Sequence, residues 1–258
     1  MTDDFDGLIA AAVAAPFAGW DFSWIAGRQT VAGKPWDFGA IVRRAARHVG
    51  VVVDLGTGGG EWLAALRLEN AVVIATECWQ PNLSVAAERL RPLGVSVVTH
   101  REAPDNVDWQ ATGGELPFRA GRVDLIVNRH ESYSPSEIRS ALAPTGAFVT
   151  QQVGDCDLLE LLEDLGARSP EIGWHLDAAT DQLARNGLRV VESDEARFTM
   201  RFRDVGALAY YVRAMPWAFP GFDLARDVAR LRDVHARIER DGCYETLAHR
   251  FWLRAVHA

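Results

Sequence analysis

The stretch that most restricts the fold of this chain is VVVDLGTGGGEWLAAL, residues 51–66. A run of valines ends in Asp54, then Gly56, Gly58, Gly59 and Gly60 crowd a short turn, and an amphipathic stretch begins at Glu61. Glycine loses more backbone freedom on folding than any other residue, so this turn must need something only glycine supplies. The need is either left-handed dihedrals or a ligand lying against bare backbone. A buried strand, a glycine turn and a helix in succession also point to a parallel sheet.

The rest of the chain continues that pattern. Strand-length apolar runs fall at residues 51–54, 71–76, 95–99, 123–128 and 145–153, with a long β segment at 188–202 and a last strand from 244. Helical periods lie between them at 61–69, 82–93 and 175–185, and a Ser-capped helix opens SPSEIRSALAP. Two further helices, 205–213 and 224–239, precede the final strand. The expected fold is α/β, a doubly wound, mostly parallel seven-strand sheet forming a single domain, 1–258. Its parts are an N-terminal helical segment (1–48), a ligand-binding core (50–153) and a helical insertion between the last two strands (203–240).

With 258 residues, 48% hydrophobic, the chain can bury a sizeable core. Its net charge of −8 argues against a nucleic-acid partner, and Arg43, Arg44 and Arg47 read as a solvated helix face. Cys78, Cys156 and Cys243 lie far apart with no C-x-x-C, which fits a reducing compartment and offers no metal-binding spacing, so no metal is expected. The acidic N-terminus precedes an apolar run too short to span a membrane and lacks a signal peptide's cationic start. A cytoplasmic protein without a membrane partner is expected.

In such a sheet a glycine turn after the first strand stands at the carboxyl edge, where ligands bind. Glu77 ends the second strand about 20 residues beyond Gly56, where an acid accepts hydrogen bonds from ribose hydroxyls. The pair implies a nucleoside-bearing cofactor. A dinucleotide fingerprint is incomplete, because Glu61 stands where its third glycine belongs.

DLGTGGGE resembles the first motif of the class I S-adenosylmethionine-dependent methyltransferases, and ATECW, ELPFRAGRVDLIVNRHE and ALAPTGAFVTQQ resemble that family's following segments in order. The resemblance covers residues 50–152; Thr145 replaces the first glycine of the family's turn before strand five, and GDxxxLPF is absent. It implies a Rossmann-like methyltransferase with S-adenosyl-L-methionine as cofactor. Carried over by position, Gly56, Thr57 and Gly58 would lie along the methionine portion. Asp54 would hold that loop, or the cofactor's amino group through water, and Glu77 the ribose. Cys78 and Trp79 would flank the adenine, Glu102 and Ala103 would stand near its amino group, and Asn128 would touch the methionine portion.

Methyl transfer from a sulfonium is an in-line displacement, so alignment and exclusion of water matter more than acid–base chemistry. Where a base is needed, His130 is the candidate, with Glu131 beside it, because its ordinary pKa lies near neutrality. Trp24, Trp36, Tyr133, Gln151, Tyr210, Tyr211 and Trp217 are candidate acceptor contacts, and their rings suit a small, planar or partly apolar acceptor. RNA or protein methylation, and cofactor binding without methyl transfer, stay open beside this reading.

Overall fold

A computed structural model of the chain describes residues 5–101, 103, 106, 114–168 and 173–258. In chain order the first elements are α1 (Phe5–Ala14), β1 (Gln29–Ala32), α2 (Phe38–Ala45), β2 (Val51–Leu55), α3 (Glu61–Leu66), β3 (Val72–Glu77) and α4 (Gln80–Leu90). There follow β4 (Ser96–Thr99), β5 (Val123–Arg129), α5 (Pro135–Ala141), β6 (Leu142–Val153), α6 (Leu159–Leu165) and α7 (Leu176–Arg185). The chain closes with β7 (Leu188–Phe202), α8 (Val205–Ala214), α9 (Val228–Asp241) and β8 (Tyr244–His257).

The strands form one eight-stranded sheet in the order β1-β7-β8-β6-β5-β2-β3-β4. The neighbours from β4 to β6 pair in parallel, whereas β8 runs antiparallel to both β6 and β7. This corrects the expected seven strands: β1 adds an antiparallel edge along the end of β7. The segment 1–48 therefore contributes a strand as well as helices. β1 escapes the apolar pattern because QTVA offers little to bury.

Central strands covered on both sides carry near-continuous apolar runs, as parallel strands do, with polar residues such as Asp54 and Asn128 toward their carboxyl ends. On one face α2, α3 and α4 bury Phe38, Val42, Leu63, Leu66 and Leu90 against Val52, Leu125 and Val149. On the other, α5 and α7 bury Ile138 and Leu183, with Trp174 just before α7, against Ile126, Phe148 and Leu253. β7 and β8 outgrow the sheet, and their ends carry a third core. There α1, α6, α8 and α9 cover Phe198, Met200, Phe202 and Tyr244.

Arg28 ties β1 to α8 through paired contacts to Asp204, at 2.8 and 2.6 Å, while Asp204 also accepts from the Ala207 N–H and caps α8. α3 is shorter than expected: it stops at Leu66 because Arg67 turns left-handed, with φ 55°. Among the described residues no helix is long and apolar enough to cross a membrane.

Candidate functional site

Strand order reverses between β2 and β5, and the carboxyl ends of these strands carry most of the expected residues. Gly56 takes φ 72°, Gly58 62° and Gly60 78°, so the turn does use left-handed dihedrals. Its shape is fixed from β3: the Thr57 N–H donates to the Thr76 carbonyl at 2.9 Å, and the Gly56 N–H to the Thr76 hydroxyl at 3.3 Å.

Two close approaches add to the dihedrals. A Cβ on Gly56 would stand 2.6 Å from the Cβ of Glu131, whose side chain lies across the loop. A Cβ on Gly59 would stand 2.7 Å from the Cα of Gly19, so the N-terminal segment runs directly against the turn. Trp20 follows beside Gly58 and stacks on Trp217, ring centroids 5.8 Å apart and planes 20° off parallel. Trp217 is largely exposed, and the pair roofs the glycine turn from the solvent side.

Asp54 is buried at the end of β2, and its carboxyl is pushed up to about 6. Burial is the main cause, the Glu77 charge adds to it, and the Thr57 hydroxyl and Arg129 guanidinium oppose it. Glu77 closes β3, with Oε1 accepting from the Trp79 N–H at 2.8 Å. Burial raises its pKa, opposed by the N–H groups of Trp79, Gly58 and Cys78 and by Asn82. This carboxylate thus binds the glycine turn to the end of β3. Cys78 is half-buried and Trp79 is exposed beside it.

Ala103 is buried next to a small cavity lined by Leu55, His100, Leu116 and Ser132, and its carbonyl accepts from the Ser132 hydroxyl at 2.9 Å. Glu102 lies outside the described residues.

At the end of β5, Asn128 is fully buried; its Oδ1 accepts from Thr150 at 2.8 Å and from the Gln152 amide at 2.7 Å. Its Nδ2 has no partner and is the one buried side-chain donor left over on that strand end. His130 adopts φ 66°, a left-handed conformation that turns its ring from the strand toward Gln151.

Trp36 Nε1 can only donate, and it lies 2.9 Å from Gln151 Oε1. That fixes the amide's other end: Gln151 Nε2 donates to His130 Nε2 at 2.8 Å, and the imidazole is neutral with its proton on Nδ1. Its pKa is driven well below the ordinary value, first by burial and then by Arg250, Arg129 and Lys34.

Sequence reasoning named Gln151 and Trp36 but missed these three cations. Arg129 lies over the Trp62 ring at 5.3 Å, and Arg250 is ion-paired with Asp157. Arg129 adjoins His130 in sequence and was discoverable; Lys34 and Arg250 come from opposite ends of the chain.

Three tyrosines offered as acceptor contacts stand in the packed interior. Tyr133 rests on Phe148 and Trp174. Tyr210 and Tyr211 lie on α8, whose residues are buried on nearly every side, so neither ring faces a cleft. Tyr210 instead reaches the N-terminal segment, its hydroxyl 3.0 Å from the Pro16 carbonyl and 3.1 Å from that of Asp21. Trp24 packs on Tyr210 and carries Arg28 over its ring.

No family model matches the chain. Over 108 residues it is 32% identical to protein-L-isoaspartate O-methyltransferase of Aromatoleum aromaticum, covering 42% of this chain and 46% of that one. Over 134 residues it is 28% identical to the protein of the same name from Azoarcus sp., covering 52% and 58%. The chain spans about half the length of the curated relatives it matches.

Among solved structures, one from Bacillus halodurans C-125, provisionally named a methyltransferase, is 15% identical over 85% of this chain and 97% of that one, TM-score 0.59. Geranyl diphosphate C-methyltransferase of Streptomyces coelicolor A3(2) is 15% identical over 85% and 78%, TM-score 0.51. The chain thus has the Rossmann-like fold of the S-adenosylmethionine-dependent methyltransferases.

Proposed function

We propose that this protein is an S-adenosylmethionine-dependent methyltransferase whose acceptor is a small molecule methylated at an anionic oxygen, such as a carboxylate. The observation that carries the reading is the convergence at one sheet edge of the glycine turn, buried Asp54 and Glu77, and a neutral His130 ringed by cations.

The residues fit the cofactor. Gly56 and Gly58 leave bare backbone for its amino-acid portion, and the unpartnered Asn128 Nδ2 at the same edge is a ready donor. Glu131 must swing off Gly56 to admit it. Asp54 would hold the loop, Glu77 the ribose, and Cys78, Trp79 and Ala103 would border the base. Bound there, the cofactor supplies an electrophilic methyl on a sulfonium.

An anionic nucleophile needs no general base. That agrees with His130, whose Nε2 lone pair is already engaged by Gln151 while Nδ1 keeps a proton to donate. Lys34, Arg129 and Arg250 supply positive potential at the same point. Trp20 and Trp217 would exclude water above the turn. Residues 1–48 and 203–240 together would form the cap over the core 50–153.

A protein carboxylate is the second reading, favoured by the name of the matched relatives. It shares the anionic nucleophile and differs in acceptor size.

The test begins with calorimetry of S-adenosylhomocysteine beside NADH, on wild type and Glu77→Ala. Binding of S-adenosylhomocysteine alone, lost in the variant, is expected. Radiolabelled S-adenosylmethionine is then offered with small carboxylates and with an isoaspartyl peptide, and label is followed as base-labile methyl ester. Lys34→Met should raise KM for an anionic acceptor with little change in kcat. Absence of S-adenosylhomocysteine binding would overturn the reading.

A further inference from the structure

Beyond the end of β6, Gly154, Asp155 and Cys156 meet His249 of β8 and Glu195 and Arg197 of β7. A cleft of about 450 Å³ opens there, lined by these side chains and His175. Side chains alternate along a strand, so His249 points to the opposite face of the sheet from Arg250, which serves the His130 side. The cleft is therefore separate from the glycine-turn site.

Three donors of different chemistry converge in it. An oxygen of Asp155, Cys156 Sγ and a ring nitrogen of His249 all lie within 4.8 Å of one another. The imidazole is only 5% exposed, and both its nitrogens are accounted for. Nδ1 accepts from the Cys156 N–H at 3.1 Å, so the proton is on Nε2, which donates to Glu195 Oε1 at 3.1 Å. Nδ1 lies beside the thiol and the Asp155 carboxylate, and the far N–H is held by a second carboxylate; once the Cys156 N–H releases Nδ1, that is how proteins present an imidazole to a metal.

The backbone is shaped for the same arrangement. A Cβ on Gly154 would collide with the His249 ring, so glycine there is what admits the imidazole. Asp155 Oδ2 accepts from the Gly173 N–H at 3.1 Å, and Oδ1 stands 3.7 Å from His249 Nδ1. The Arg197 guanidinium donates to Cys156 Sγ at 2.9 Å and supplies positive charge beside the cluster.

We propose that Asp155, Cys156 and His249 form a binding site for a borderline divalent cation of the zinc class, with Glu195 as the outer hydrogen-bond acceptor that orients His249. Mixed sulfur, nitrogen and oxygen donors select zinc-like ions over magnesium or calcium. On binding, the Cys156 thiol loses its proton to solvent, the Cys156 N–H releases His249 Nδ1, sulfur–metal and nitrogen–metal bonds form, and Arg197 gives way; nothing is oxidised. Three protein donors leave one position for water or a ligand entering through the cleft. The ion would clasp the loop after β6 to β8, with β7 behind them. A Cys-His-Glu nucleophilic centre is the rival for the same residues, but a carboxylate aimed at the thiol favours a cation there over an attacking thiolate.

Co²⁺ titration of the tag-free, metal-stripped full chain tests this, with Zn²⁺ in competition. The expected result is one Co²⁺ per chain, a thiolate-to-cobalt absorption band, and displacement by stoichiometric Zn²⁺. Cys156→Ser should abolish the band, whereas Cys78→Ser and Cys243→Ser should keep it. Glu195→Gln should weaken Zn²⁺ binding about 10–100-fold with the circular dichroism unchanged. Failure to take up stoichiometric metal, or a thiolate band surviving in Cys156→Ser, would overturn the site. Fast alkylation of Cys156 that Zn²⁺ does not slow would assign the cluster to nucleophilic chemistry instead.

Discussion

Gln151 donates from Nε2 to His130 Nε2 at 2.8 Å, and that contact decides the charge of the imidazole. Trp36 holds the other end of the amide, so Gln151 cannot turn over to accept a proton from an imidazolium. The folded state therefore prefers neutral His130, and its pKa lies well below 6.5. For a depressed histidine the sign is fixed: this stability is complete above the unfolded pKa and is lost as pH falls through it toward the folded value. Wild type should lose stability relative to His130→Gln as pH falls below 6.5, followed by denaturant midpoints at each pH. Gln151→Glu, which offers an acceptor, should bring the imidazole's titration back toward neutrality by NMR; an unchanged titration would refute the assigned tautomer.

Gly56 combines two demands that a double substitution can separate. A side chain at φ 72° costs about 1 kcal/mol, and the added Cβ also meets Glu131 at 2.6 Å. Gly56→Ala should lower the melting temperature, and adding Glu131→Gly, which removes the Cβ it meets, should recover the part due to collision. Affinity for S-adenosylhomocysteine should stay low in both variants if the bare backbone serves the cofactor. Recovery of affinity in the double variant would make Glu131 the cause.

The order of elements was legible where structure is local. The β segment read at 188–202 coincides with β7, and the helix read at 175–185 becomes α7 one residue later. α6 was missed because seven residues give too little periodicity, although Leu161, Leu162 and Leu165 are all buried. At the site, Asp54, the glycines and Glu77 lie within one strand–turn–helix–strand unit and could be found in one dimension. The Trp36–Gln151–His130 relay joins residues 115 apart in sequence, and His249 meets Cys156 across 93. Aromatic content named Tyr210 and Tyr211 but could not say which way α8 would face.

Asp54 works in the opposite direction to His130. Its carboxyl titrates at about 6 in the folded protein against an ordinary 3.8, so folding favours the protonated form. The stability this supplies is complete below 3.8 and is lost as pH rises through about 6, roughly 3 kcal/mol in all. Asp54→Asn should then be more stable than wild type above pH 6, with the gap closing toward pH 4, by chemical denaturation. The same variant should bind S-adenosylhomocysteine more weakly. A variant less stable than wild type at pH 8 would mean that the buried charge is better compensated than its surroundings imply.

Tyr210 holds the N-terminal segment over the glycine turn, which gives a buried core residue an effect on the site. Its hydroxyl proton is shared between the carbonyls of Pro16 and Asp21, and Gly19 between them lies against Gly59. Tyr210→Phe keeps the ring and its contacts with Phe17, Phe22 and Trp24. What goes is the hydrogen bond, a loss of about 1 kcal/mol. If that loss falls on local opening of residues 16–21, chymotrypsin should cut after Phe17 or Trp20 about five times faster, because cleavage follows the open population. S-adenosylhomocysteine should slow the cut in both proteins, since the segment closes over the turn that would hold it. An equal cleavage rate in wild type and variant, with the melting temperature lowered as expected, would place the effect in the core and leave the segment without a part in ligand closure.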